Sequence, residues 1–241
     1  MRIISVASAK GGVGKTTLVS NLGALLASKF SKNVLVMDCN ITTSHLGIYL
    51  GMDRIPVTLN HVLRGRADVM EAIYNHSSGM KVMPASISIT DMKGVDIFSL
   101  KNVVKKIEKS SDTDLLLLDC APGLGREAMA PLAASNEIIY VTTPFLPPVM
   151  DVVRCRYAAS DMNLNQLGTV LNMVRGSAVE LSAEDVERVT EMPVLASIPM
   201  DESVIRGMVF GIPAVMSNSK SRLSSSISRL AELILNPQRG D

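Results

Sequence analysis

Short apolar runs alternate along this chain with longer segments in which apolar residues return every three or four positions. The runs read as strands over residues 3–8, 33–38, 80–84, 115–119, 137–142, 167–173 and 194–198. The periodic segments predict helices over 15–29, 59–64, 69–74, 98–109, 126–134, 149–161, 183–191, 202–210 and 221–235. Most runs are apolar throughout, as strands covered on both faces must be. Strand and helix taking turns defines an α/β fold, a mostly parallel β-sheet flanked by helices on both faces. No repeat, linker or shift in composition interrupts the sequence. Residues 1–241 are therefore expected to form a single domain, closing on the helix at 221–235 and a short tail at 236–241.

In such a sheet, functional side chains gather beyond the carboxyl ends of the strands. The first strand runs into Ser8-Ala9-Lys10-Gly11-Gly12-Val13-Gly14-Lys15-Thr16-Thr17, and then into a segment with Leu18, Leu22, Leu25 and Leu26 on one face. Strand, glycine-rich turn and helix make the setting of a phosphate-binding loop. Glycines let successive N–H groups converge on phosphate oxygens. The helix start adds its unsatisfied N–H groups and positive dipole end. Lys15 is placed to reach the β- and γ-phosphates, and the Thr16 hydroxyl to bind Mg²⁺. A plain glycine turn is the competing reading, and Gly14-Lys15-Thr16 in this context speaks against it. The strict pattern has glycine where Ala9 stands, and here a second lysine, Lys10, precedes the paired glycines.

Two further runs end in a carboxylate. Val34-Leu35-Val36-Met37 is capped by Asp38 and followed by Cys39 and Asn40; Leu115-Leu116-Leu117-Leu118 is capped by Asp119 and followed by Cys120-Ala121-Pro122-Gly123. Both carboxylates fall beside the phosphate loop, where they can serve Mg²⁺ or its water. For Asp38 alone, capping of the next helical stretch competes. Strand alternation turns Cys39 and Cys120 away from the metal, as small packing residues.

The Lys10–Thr17 block resembles the deviant Walker A loop of the MinD/ParA family of ATPases, some members of which also lack the first glycine. The resemblance runs from residue 2 to about residue 235. It implies a P-loop NTPase fold, with ATP or ADP and Mg²⁺ as cofactors. Gly11, Gly12, Val13, Gly14, Lys15, Thr16 and Thr17 would bind the nucleotide, and Thr16, Asp38 and Asp119 the metal. Lys10 would reach across to a partner's nucleotide in an ATP-bound homodimer. Asn172 would hydrogen-bond the adenine edge, with Pro199 and Asp201 against the base, and Gly123 would sense the γ-phosphate. Asp151 would pair with Lys10 in the monomer; a first-turn Asp favoured by the helix dipole is the competing reading.

Two departures from the family stand out. Met173 occupies a position where a basic residue usually follows Asn172. Asn40 stands where the family has a second Asp that orients the attacking water. An amide can hold a water but takes no proton at neutral pH. Phosphoryl transfer depends more on positioning and electrostatics than on a base, so catalysis through Lys10, Lys15 and Asn40 is expected to be slow. The resemblance points to a MinD-like, ATP-dependent dimeric switch for division-site or organelle positioning, with an unidentified activator or cargo protein. A ParA-type DNA partition ATPase, an iron–sulfur carrier of the superfamily and an ATP-bound scaffold with little hydrolysis are the alternatives.

Composition narrows these choices. Hydrophobic residues make up 47% of the chain but aromatics only 3%, with no Trp and 15 Met, so the core is aliphatic and sulfur-rich. A net charge of +1 gives no global attraction to nucleic acid, and Lys101, Lys105, Lys106 and Lys109 read as a solvated helix face. Non-specific DNA is therefore the lesser expectation. Cys39, Cys120 and Cys155, with His45, His61 and His76, lack metal-ligand spacing, which argues against a metal cluster or disulfide framework. No apolar run is long enough to cross a bilayer, and Met1 leads straight into a strand, so a cytoplasmic protein is expected. Beyond the last helix, Asn236 to Asp241 holds no apolar residue except Pro237, leaving a membrane surface to be reached through a partner. Ser224-Ser225-Ser226 is poor in helix propensity for a segment with helical periodicity.

Overall fold

Each buried run becomes a strand of one sheet. The computed structural model describes residues 1–52 and 54–236; the expectation for the tail at 237–241 lies outside the described residues. The strands are β1 (Arg2–Ala7), β2 (Val34–Asp38), β3 (Tyr74–Asn75), β4 (Lys81–Met83), β5 (Leu115–Asp119), β6 (Glu137–Thr142), β7 (Asn165–Val174) and β8 (Val194–Pro199). Their spatial order is β3-β4-β2-β5-β1-β6-β7-β8. All neighbours pair in parallel except β3 with β4. The helices are α1 (Lys15–Ser28), α2 (Leu46–Tyr49), α3 (Leu59–Leu63), α4 (Ile89–Met92), α5 (Leu100–Ser110), α6 (Arg126–Ala133), α7 (Leu146–Ala159), α8 (Ala183–Thr190), α9 (Glu202–Phe210), α10 (Ala214–Ser217) and α11 (Arg222–Leu235). No helix among the described residues is long and apolar enough to cross a membrane.

Alternation along the strands decides which helix covers which side. Ile4, Val6, Val34, Val36, Leu115 and Leu117 face α1 and α11, which bring Leu18, Leu22, Leu26, Leu223, Ile227 and Leu230 against them. Ile3, Leu35, Met37, Leu116 and Leu118 face the other way, onto Leu59 and Leu63 of α3 and Leu100, Val103 and Ile107 of α5. On the same side α7 sets Val152 and Cys155 over Ile138 and Tyr140. Cys39 and Cys120 fall on this second face, fully buried, away from the side to which Asp38 and Asp119 project.

Three local readings change. The helix expected over 69–74 is a single 3₁₀ turn, Met70–Ala72, followed by β3. Six residues are too few to repay helix nucleation, and the Tyr74 hydroxyl both donates to the Val57 carbonyl and accepts from its N–H, drawing the chain out to the sheet edge. The helix expected from 149 begins at Leu146, because Pro147 and Pro148 fit in its first turn, where no intrahelical N–H bond is missed. Of the serine run, Ser224 is accounted for by the start of α11. Ser221 caps the helix by accepting from Ser224 N–H, and the buried Ser224 hydroxyl donates to the Asn218 carbonyl at 2.6 Å.

Helix α1 lies so close to the sheet that it needs a glycine in its middle. A Cβ on Gly23 would sit 2.6 Å from Cγ2 of Val36 and 3.1 Å from the Met80 sulfur. Val36 is stiff at χ1 and fully buried, so it cannot swing aside. Alanine is worth roughly 1 kcal/mol more than glycine in a helix interior, but overpacking a core costs about 1–3 kcal/mol. Gly23→Ala is therefore expected to lower the denaturant midpoint in an equilibrium urea titration; a raised midpoint would show that α1 can lift off β2 without loss.

Candidate functional site

The loop from Ser8 to Thr17 curls between β1 and α1 through two left-handed glycines, Gly12 at φ 77° and Gly14 at φ 93°. Gly14 is also the N-cap of α1, with no side-chain cap and no acidic residue in the first turn, so the helix start keeps its donors and its positive end. A side chain at Gly14 has no room. Its Cβ would lie 2.1 Å from Nδ2 of Asn172, which itself donates to the Val13 carbonyl at 2.8 Å. Asn172 thus braces the phosphate loop from β7 with one N–H and keeps its amide oxygen and second N–H for a ligand.

Lys15 is buried beneath this loop and donates to the Ser8 hydroxyl at 2.8 Å, and Ser8 in turn donates to the Lys10 carbonyl. Burial draws the Lys15 pKa down, while the charge of Asp119 opposes that shift. Lys10 is exposed at the rim. Two lysines five residues apart on one loop therefore occupy opposite environments. Gly11 backs onto Pro122, and the N–H of Gly123 donates to the Ser8 carbonyl at 3.1 Å, which ties the loop after β5 to the phosphate loop.

Asp38 and Asp119 are partners in the β2–β5 register and project together toward the start of α1. The Thr16 hydroxyl donates to Oδ2 of Asp119 at 2.6 Å, whereas Oδ1 is buried without a hydrogen-bond partner. Asp38 is fully engaged: it accepts from Asn40 N–H at 3.0 Å, the Ser44 hydroxyl at 2.7 Å and Leu46 N–H at 3.2 Å. Burial pushes both carboxyls above their usual range, and at Asp119 repulsion from Asp38 adds to it. An orphaned carboxylate oxygen, an adjacent hydroxyl and two crowded acids are what a hard divalent cation would satisfy. Thr16 and Asp119 fit that group directly. Asp38, with all three donors already in place, fits it only at a distance.

The loop after β2 holds Asn40. Its amide nitrogen donates to the Thr43 carbonyl at 2.8 Å and its oxygen accepts from the Thr43 hydroxyl at 3.0 Å. Thr42, next to it, donates from both its N–H and its hydroxyl to Glu127 of α6, at 2.8 and 2.6 Å.

A cleft of about 690 Å³ runs from Gly12, Lys15 and Thr16 past Asn40 and Asn172 to Pro199, Met200 and Asp201. Asp201 caps α9 by accepting from Ser203 N–H at 2.8 Å. Met173 takes a left-handed conformation, φ 60°, and Arg175 lines the cleft with its Nε 3.2 Å from the Met200 sulfur. A basic side chain thus enters the cleft two residues after Met173. Glu180 folds that turn by accepting from the N–H groups of Arg175, Gly176 and Ser177. One expectation is corrected: the ion pair of Asp151 is with Arg154, at 2.9 Å on its own helix, and not with Lys10. Sequence reasoning also missed Ser44, Tyr49, Glu127 and Arg175; only Glu127, in the first turn of the helix after Gly123, carried a signal, its place beside a strand-end loop.

A parallel sheet whose first strand runs through a left-handed glycine loop into a helix, with acids at the ends of two adjacent strands, defines the P-loop nucleoside triphosphatases. The comparisons with known proteins narrow this class. Residues 1–235 match the family described as ParA, NUBPL iron-transfer P-loop NTPase. An uncharacterised ATP-binding protein of Methanocaldococcus jannaschii is 32% identical over 232 residues, covering 96% of this chain and 87% of that protein. The cell division ATPase MinD of Pyrococcus furiosus superposes with a TM-score of 0.93 at 34% identity, covering 98% of this chain and 99% of that one. The septum site-determining protein MinD of Pyrococcus horikoshii, in complex with Mg-ADP, does so with a TM-score of 0.93 at 31% identity, covering 99% and 97%. The chain belongs to the MinD/ParA family of P-loop ATPases. Within that family it is a MinD-like ATPase.

The two crowded acids make the ligand-free protein sensitive to pH. Native carboxyl pKa values above the ordinary range near about 4 mean that the folded chain keeps protons that the unfolded chain releases. Stability from these groups is full below that range and falls as pH rises toward the native values. Without metal or nucleotide, Asp119→Asn is expected to melt above the natural chain near about pH 8, by about 2–4 °C per kcal/mol of repulsion relieved. The two should converge toward about pH 4. Thermal melts across this range check it, and equal slopes with pH would mean that the acids do not strain each other.

Proposed function

We propose that this protein binds ATP with Mg²⁺ and, so loaded, pairs with a second copy of itself as a slow switch for spatial organisation, such as division-site or organelle positioning. The observation that carries the reading is the contrast between the two loop lysines. Lys15 is turned inward under the phosphate loop, while Lys10, on the same loop, stands exposed at the rim of the cleft. A rim lysine cannot add to its own site without folding back, but it can extend to a triphosphate presented by a facing subunit. A compact ammonium on a flexible stem suits that reach.

In this reading Gly11, Gly12, Val13, Gly14 and Thr17 line the phosphates, and Thr16 and Asp119 hold Mg²⁺, whose chemistry is to neutralise charge on the transferring phosphoryl group. Asp38 serves mainly by shaping the loop that carries Asn40. The Gly123 N–H leaves the Ser8 carbonyl for the γ-phosphate. Asn172, Pro199 and Asp201 receive the base, with Arg175 as its cation. Asp151 contributes to the switch through its helix, near the rim, rather than by holding Lys10. An activator or cargo protein would recognise the paired form.

Light scattering with ADP and with ATP tests the pairing. The natural chain is expected to be dimeric only with ATP, and Lys10→Ala to remain monomeric while binding nucleotide about as tightly. A Lys10→Ala protein that pairs and hydrolyses like the natural chain removes the two-subunit switch.

Asn40 makes a separate prediction. Its amide gives one N–H and its oxygen to Thr43 and brings no charge to the cleft. Asn40→Asp is expected to raise steady-state turnover by about tenfold, less than a positioned acid–base group usually gives, because phosphoryl transfer rests more on positioning than on a base. Equal rates would mean that position 40 does not limit hydrolysis. A natural chain that retains ATP with no phosphate release in single-turnover assays would favour the scaffold reading instead.

A further inference from the structure

The loop between β2 and α2 has two ends and a tip, and they are held by different parts of the molecule. Its ends are gathered by Asp38, through Asn40 N–H, the Ser44 hydroxyl and Leu46 N–H. Its tip, Thr42 and Thr43, is exposed. What secures the tip comes from another element. Glu127, in the first turn of α6, accepts Thr42 N–H on one carboxylate oxygen and the Thr42 hydroxyl on the other. Bonds to an ionised acceptor are about twice as strong as neutral ones. Among the described residues Glu127 pairs with no cation, so the carboxylate is committed to Thr42. Helix α6 is itself steadied, with Arg126 stacked 4.8 Å over the Phe98 ring.

Glu127 lies four residues beyond Gly123, whose N–H is bonded to the phosphate loop, and Thr42 lies two residues beyond Asn40. The clasp thus joins the loop after β5 to the loop after β2. We propose that Glu127 is a positioning residue, which fixes Asn40 relative to the phosphate loop and carries displacement of the Gly123 loop to it. The proposal rests on the ATPase reading above and adds to it a named link between the two loops. It differs from the ordinary role of an acid at a helix start, which is to complement the dipole. That role needs only the charge. The clasp needs the length of the side chain and both oxygens.

The variants separate the two roles. Glu127→Asp keeps the charge at the start of α6 but is one methylene too short to hold both Thr42 donors. Thr42→Val removes the hydroxyl donor, and Thr42→Ser restores it. The readouts are single-turnover hydrolysis, Mg-ADP affinity, melting temperature and hydrogen exchange of the Thr42 amide. Glu127→Asp and Thr42→Val are expected to hydrolyse about tenfold more slowly, a modest loss for a displaced group at a reacting centre. Thr42→Ser should stay near the natural rate, and Mg-ADP affinity should be unchanged in all three. Thr42 amide exchange should be about tenfold faster in Glu127→Asp, the change expected when one secured bond is given up. Faster exchange with an unchanged hydrolysis rate overturns the positioning role, and unchanged exchange overturns the clasp itself. Rate losses in all three variants that follow the melting temperature overturn it in favour of a merely structural acid. If the natural chain takes up no Mg-ATP, the ATPase reading fails, while the exchange experiment still decides whether the clasp exists.

Discussion

The in-register pairing of β2 with β5 is the constraint on which the site depends. It sets Asp38 opposite Asp119 and turns both toward the start of α1, leaving two acids side by side in a place that burial makes hostile to charge. Neither acid could be tolerated there without partners. The protein answers asymmetrically: three donors from the following loop converge on Asp38, while Asp119 receives one hydroxyl and retains a bare oxygen. A buried polar atom left unsatisfied costs free energy unless something fills the gap. The fold thus stores, at one oxygen, a demand for a cation that its own side chains do not meet.

Around that point the cleft is held together by bonds of the kind a nucleotide would replace. Lys15 rests on Ser8, the Gly123 N–H on the Ser8 carbonyl and Asn172 on the Val13 carbonyl. Each is a donor suited to phosphate or base, kept in position by a nearby backbone or hydroxyl oxygen. Because these substitutes belong to the loop itself, the site is shaped before ligand arrives, which lowers the ordering cost of binding. It also joins three loops from different strands through a few shared oxygens.

Within the MinD/ParA family this chain keeps the loop and the two strand-end acids but redistributes their neighbours. Arg175 lines the cleft, in a turn made by the left-handed Met173 and the carboxylate of Glu180. The tip of the loop carrying Asn40 is tied to Glu127 of α6. Both arrangements sit on loops, whose backbones tolerate new turns at the surface.

Much of this was legible in the sequence, because the signals were local. Apolar runs of strand length capped by Asp38 and Asp119, and a glycine loop leading into an amphipathic segment, fix the α/β class and the place of the site through backbone sterics and side-chain alternation alone. What tertiary structure decided were the hydrogen-bond and ion-pair partners, near in sequence as well as far. Asn172 turns to Val13, Asp38 to its own loop, Asp151 to Arg154 and Glu127 to Thr42. The stretch at 69–74 became a 3₁₀ turn leading into the edge strand β3, where Tyr74 found Val57. A side chain's periodicity says which face it occupies, but which donor meets which acceptor depends on how the elements pack, and that distance is not written in either residue.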